Sequence, residues 1–105
     1  MTKAHHIAVI GAGLMGHGIA LTFARAGHHV AITDPVAVML QTAPARIVES
    51  LTLLGADQAE IDAALARITL APTTQVAVAD AKFVIEAAPE KLELKRAIFA
   101  EVESH

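Results

Sequence analysis

Apolar positions along the chain follow two different spacings. His6-Ile7-Ala8-Val9-Ile10 and His29 to Thr33 are short, nearly unbroken runs rich in β-branched residues. Such runs predict strands covered on both faces. Between them, Leu14 to Ala26 places Met15, Ile19, Phe23 and Ala26 on one helical stripe and stops at Gly27. Val36 to Leu54 continues in helical spacing through Met39, Leu40, Ile47, Leu51 and Leu54, and Gly55 closes it. Pro44 lies inside that stretch, removes a hydrogen bond to the Leu40 carbonyl, and predicts a kink or break. Asp57 predicts the N-cap of a helix through Ala66, with Glu60 completing an acidic capping box. Ile68-Thr69-Leu70 is a third strand, Pro72 to Ala79 a connection with room for one helical turn, and Ala81 to Ala87 a fourth strand. Pro89 and Glu90 suit the first turn of a last helix, reaching Val102.

Strands alternating with helices argue for a parallel sheet with right-handed crossovers. The expected fold is α/β, a Rossmann-type doubly wound parallel sheet, incomplete, with about four strands in the order 3-2-1-4. In that order the fourth strand is an open edge although Phe83-Val84-Ile85 reads as a buried strand. A homodimer or element-swapped assembly is therefore expected, through the fourth strand and the helix from Glu90 to Val102.

Composition narrows the function classes. At 105 residues the chain is one small domain, and 54% apolar against 18% charged residues argues against disorder. Alanine supplies 23 residues against three Phe, which favours helices lying close to a sheet. The net charge of -3, with eight basic residues that form no block, speaks against a nucleic-acid or polybasic membrane surface. Without cysteine there is no disulfide framework, thiolate zinc site or Cys nucleophile. No apolar run approaches the roughly 20 residues of a bilayer span. Met1 to His6 leads straight into a strand and leaves no room for a signal peptide, so a cytoplasmic location is expected.

The chemistry centres on Gly11-Ala12-Gly13-Leu14-Met15-Gly16, a G-x-G-x-x-G between a strand and a helix. The motif alone is weak, but its placement before a second strand ending in Asp34 is what a dinucleotide fingerprint requires. Gly11 permits the tight turn, Gly13 leaves room for a pyrophosphate, and Gly16 lets helix and strand pack closely. The helix N-terminus offers unpaired N–H groups to the phosphates. A carboxylate at Asp34 accepts ribose hydroxyls and repels a 2′-phosphate, and Pro35, Val36 and Ala37 supply no cation for one. The expected cofactor is NAD rather than NADP.

These residues also carry a resemblance. Ile7 to Asp34 with Gly-Ala-Gly-Leu-Met-Gly-His-Gly-Ile-Ala, then Arg46 to Leu51, then Asp80 to Lys95 and on through Phe99, resemble the N-terminal NAD-binding domain of the 3-hydroxyacyl-CoA dehydrogenases. The resemblance implies a single NAD-binding domain over residues 1–105, with the family's C-terminal catalytic and dimerisation domain absent. It implies oxidation of (S)-3-hydroxyacyl-CoA to 3-oxoacyl-CoA in fatty acid metabolism, with an acyl-CoA as the small-molecule partner. Glu90 and Lys95 match a glutamate and a lysine that contact NAD near its nicotinamide half. Ser50 matches a serine that meets the CoA moiety.

The resemblance has gaps. Ser50 to Glu60 contains no Lys or Arg, where CoA-binding members often carry a lysine. The family's catalytic His–Glu pair has no counterpart, so no catalytic residue and no metal ligand is expected within the chain. His5, His6, His17, His28, His29 and His105 read as solvated or helix-capping groups rather than general bases. The NAD-binding part of a carnitine- or gulonate-type dehydrogenase, and a stand-alone nucleotide-binding module, remain alternatives.

Overall fold

The computed structural model describes residues 4–88 and 91–96. Strand β1 (His6–Ile10) pairs in parallel with β2 (His29–Thr33) on one side and with β4 (Phe83–Ala88) on the other. Strand β3 (Ile68–Leu70) lies outside β2, also parallel. The parallel part of the sheet thus has the expected order 3-2-1-4.

A fifth strand corrects the expectation for the end of the chain. β5 (Lys91–Arg96) runs antiparallel to β4, with Phe83 opposite Arg96 and Ala88 opposite Lys91. Lys91-Leu92-Glu93-Leu94-Lys95 alternates polar and apolar residues, which is the period of a strand rather than of a helix. The returning strand also pairs the N–H and C=O groups that β4 would otherwise leave open. Glu90 and residues 97–102 of the expected helix lie outside the described residues. β4 is an inner strand, so dimerisation or swapping through its open edge loses its premise; among the described residues the outer strands are β3 and β5.

The helices follow from local signals. α1 (Leu14–Arg25) and α3 (Ala43–Leu53) close with the same pair of bonds. His28 N–H reaches Phe23 O and Gly27 N–H reaches Ala24 O; Ala56 N–H reaches Leu51 O and Gly55 N–H reaches Thr52 O, each at 3.0 Å. The break expected near Pro44 is present: α2 (Ala37–Gln41) ends before Thr42, and Pro44 falls in the first turn of α3, where no N–H is needed. α4 (Gln58–Ala66) carries the expected capping box, with Glu60 N–H on Asp57 at 2.8 Å and Asp57 N–H on Glu60 at 3.0 Å. α5 (Thr74–Val78) is the single turn allowed between the third and fourth strands, capped by Thr73.

Alternation along the strands divides the core between the two sheet faces. Ile7, Val9, Val30, Ile32 and Ile85 pack against α1, α3 and α4, while Ala8 and Val84 face Ala71, Ala77 and Val78 on the α5 side. The buried face of α1 differs from the expected stripe. It consists of Gly16, His17, Ala20, Leu21 and Ala24, whereas Met15 and Ala26 are exposed and Ile19 and Phe23 half-buried. Small residues win that face because the helix lies directly on the sheet, leaving large side chains to its flanks.

Candidate functional site

The loop between β1 and α1 is shaped by two glycines that nothing larger can replace. Gly11 has φ +115°, its N–H donates to Thr33 O at 2.7 Å, and a Cβ there would lie 2.5 Å from the Ala87 carbonyl oxygen. At Gly16 a Cβ would lie 1.7 Å from the Gly11 carbonyl oxygen, so the first turn of α1 rests on the loop backbone itself. Gly13 is different. It is the N-cap of α1 in an extended conformation, and a Cβ there would meet only Met39 Cε at 3.5 Å. Nothing in the protein needs Gly13 to be a glycine, so the room in front of it is available to a ligand.

The start of α1 completes that space. No side chain caps it and its first turn contains no acidic residue, whereas α4 and α5 are capped by Asp57 and Thr73. The first N–H groups of α1 are therefore left without a side-chain acceptor and carry the positive end of the helix dipole. This donor set fits a phosphate, and Leu14, the first residue of the helix, is 85% exposed. The end of β2 holds the neighbouring carboxylate. Asp34 accepts from Ala12 N–H through Oδ2 and from Val36 N–H through Oδ1, both at 2.8 Å. A carboxylate has about four acceptor positions, so Asp34 retains capacity for hydroxyl donors while anchoring the loop.

Three further residues support the loop from behind, a role expected from the sequence for none of them. Arg46 of α3 donates to the carbonyls of Ala12 and Met39 and to Thr42 Oγ1. His17, expected to be solvated or capping, is 5% exposed. Its ring bridges Gly13 O, 2.9 Å from Nδ1, and Ser50 Oγ, 3.0 Å from Nε2. Ser50 also lines a shallow groove between α1 and α3 with Leu53 and Leu54, which are 81% and 60% exposed. The apolar positions Ile47 and Leu51 on α3 were legible; the approach of Arg46 to the loop and of Ser50 to His17 depends on how α3 crosses α1.

The other expected site residues are less close to one another. Lys95 lies in β5 opposite Val84, and Glu90 lies outside the described residues. His5 and His28 stack with ring centroids 5.6 Å apart, and His6 and His29 at 5.0 Å, at the opposite end of β1 from the glycines. Among the described residues no group of three or more His, Cys, Asp or Glu could hold a metal ion, and no helix is long and apolar enough to cross a membrane.

Comparison with known proteins places this geometry. The family model for the 3-hydroxyacyl-CoA dehydrogenase NAD-binding domain matches residues 6–105. A Caenorhabditis elegans protein described as a probable 3-hydroxyacyl-CoA dehydrogenase is 37% identical, across 98% of this chain and 37% of its own length. L-carnitine dehydrogenase of Streptomyces coelicolor is 41% identical, across 93% of this chain and 31% of its own. The crystal structure of M. tuberculosis FadB2 superposes with a TM-score of 0.74 at 34% identity, covering 85% of this chain and 33% of that one. The chain thus spans about a third of the length of the curated relatives it matches.

Proposed function

Because the chain belongs to the family of NAD-binding domains of 3-hydroxyacyl-CoA dehydrogenases, we propose that its glycine loop and Asp34 hold NAD for the oxidation of an (S)-3-hydroxyacyl-CoA to the 3-oxoacyl-CoA. The observation that carries the reading is the uncapped start of α1 above the open space at Gly13, with Asp34 beside it. The N–H groups of Gly13, Leu14 and Met15 would hold the pyrophosphate, with Gly11, Ala12 and Gly16 setting the loop's path. The free acceptor positions of Asp34 would take the adenosine ribose hydroxyls and exclude a 2′-phosphate. Glu90 and Lys95 are assigned to the nicotinamide half, and Ser50, on the surface groove, to the CoA side. When bound, NAD supplies a hydride acceptor. Residues 1–105 contribute binding and orientation, and no general base is assigned among them. A calorimetric titration of the chain with NAD and NADP tests this: NAD should bind more tightly, and preference for NADP would contradict the role of Asp34.

A carnitine-type substrate is the second reading. It is favoured by the absence of Lys and Arg from Ser50 to Glu60, where a polyanionic CoA would gain from a cation, and by the similarity to L-carnitine dehydrogenase. Fatty acid metabolism and a cytoplasmic setting go with the first reading, since NAD and acyl-CoA thioesters are both intracellular metabolites. A homodimer formed by strand pairing would use an outer strand of the described sheet, β3 or β5, rather than β4.

A further inference from the structure

Two carbonyls of the glycine loop are held by side chains that point at it from the protein side. In a trans peptide the C=O and the N–H lie in one plane and point in opposite directions. The Ala12 carbonyl therefore fixes the direction of the Gly13 N–H, and the Gly13 carbonyl that of the Leu14 N–H. Arg46 holds the first carbonyl and is itself tied to Met39 O and Thr42 Oγ1. His17 holds the second, through Nδ1 at 2.9 Å, in addition to the helical bond from its own N–H. A carbonyl can only accept, so this network assigns a proton to Nδ1; in the neutral imidazole Nε2 is then an acceptor and Ser50 its donor. Arg46 and Ser50 are four residues apart and share one face of α3. That helix is anchored by Ala43, Ile47 and Leu51, all fully buried.

We propose that Arg46 and the His17–Ser50 pair are positioning residues for the dinucleotide loop. Acting from α3 and α1, they set the peptide planes so that the Gly13 and Leu14 N–H groups face the phosphates before the cofactor arrives. The proposal rests on the NAD reading above and extends it to residues that do not touch the cofactor. It makes cofactor affinity depend on a serine hydroxyl that lies on the far side of a buried histidine.

The test uses the whole chain and NAD alone, with no acyl-CoA present. Ser50→Ala, which suits a helix, should weaken NAD binding about three- to tenfold, the worth of one ordinary hydrogen bond. His17→Asn places an amide donor near the Nδ1 position but loses Ser50; it should match Ser50→Ala, and the double variant should be no worse than either. Arg46→Lys keeps the charge and loses the planar fork, so it should lose about as much affinity as Arg46→Gln; full affinity in Arg46→Lys would reduce Arg46 to a charge and overturn its part. Nitrogen-15 spectra should place the His17 proton on Nδ1 and show Ser50→Ala shifting the Gly13 and Leu14 amides without cofactor. A proton on Nε2, or unchanged amides and unchanged affinity, overturns the proposal. If the unaltered chain fails to bind NAD, the cofactor reading falls, while the amide shifts still decide the positioning roles.

Discussion

The Asp34 carboxylate accepts a 2.8 Å hydrogen bond from the N–H of Ala12, 22 residues earlier in the chain. This bond joins the end of β2 to the middle of the glycine loop, and a second bond from Val36 N–H fixes the carboxylate on its other side. One residue thus both shapes the loop and presents free acceptor positions beside it. Cofactor choice and loop geometry are linked through the same side chain.

Asp34→Ala should accordingly do two things at once. Loss of two charge-assisted bonds should lower stability by about 1–3 kcal/mol, read from denaturant unfolding. Affinity should fall for both dinucleotides, with the margin of NAD over NADP narrowing in direct titrations. Asp34→Asn keeps an acceptor for one of the two N–H groups and should recover part of the stability without restoring the margin. A stable Asp34→Ala variant with an unchanged margin would count against both roles.

The glycines of the motif should separate cleanly by what a methyl group meets. Gly13→Ala leaves the backbone unstrained and touches only Met39, so folding should persist while NAD affinity drops at least tenfold. Gly16→Ala collides with the Gly11 carbonyl and should cost about 3 kcal/mol or more, seen as a Tm lowered by roughly 10 °C or more. Equal destabilisation by the two substitutions would mean that the loop is not held as described.

Much of this was legible because it is local. The glycine motif, Asp34 at a strand end, the Asp57–Glu60 box and the interruption at Pro44 each depend on a few neighbouring residues. The rest depends on tertiary contact. His17 looked like any helix histidine, and only the crossing of α1 and α3 turns it toward Ser50. The stripe of Met15, Ile19 and Phe23 suggested the wrong buried face, because size suggests burial whereas close approach to a sheet selects Gly16, Ala20 and Ala24. Pro89 and Glu90 look like a helix start, and that signal hid the strand alternation of Lys91 to Lys95.

The capping box of α4 should be measurable in isolation from the site. Asp57→Ala removes the acceptor for Glu60 N–H and should cost about 1 kcal/mol. NAD affinity should not change, since α4 contributes nothing to the glycine loop. Calorimetry and chemical denaturation on one sample check both.

The position of β4 gives a sharper test of the sheet. Successive N–H groups of a strand point to opposite neighbours, so a strand paired on both sides protects all its amides. Hydrogen exchange along residues 84–87 should be slow at every position, given β1 on one side and β5 on the other. An alternating slow and fast pattern would show β4 to be an edge, and concentration-dependent light scattering would then revive pairing through it.

The contact of α1 with the sheet through Gly16, Ala20 and Ala24 has a consequence for how the site is kept in place. These residues have no rotamers to lose, so docking that face costs almost no side-chain entropy. They also have no rotamers to exchange, so the helix has no alternative packing to slip into when neighbouring core residues change. The start of α1, and with it the N–H groups aimed at the phosphates, is located by backbone resting on backbone. Drift in the surrounding apolar core should therefore be absorbed elsewhere in the domain before it reaches the dinucleotide loop.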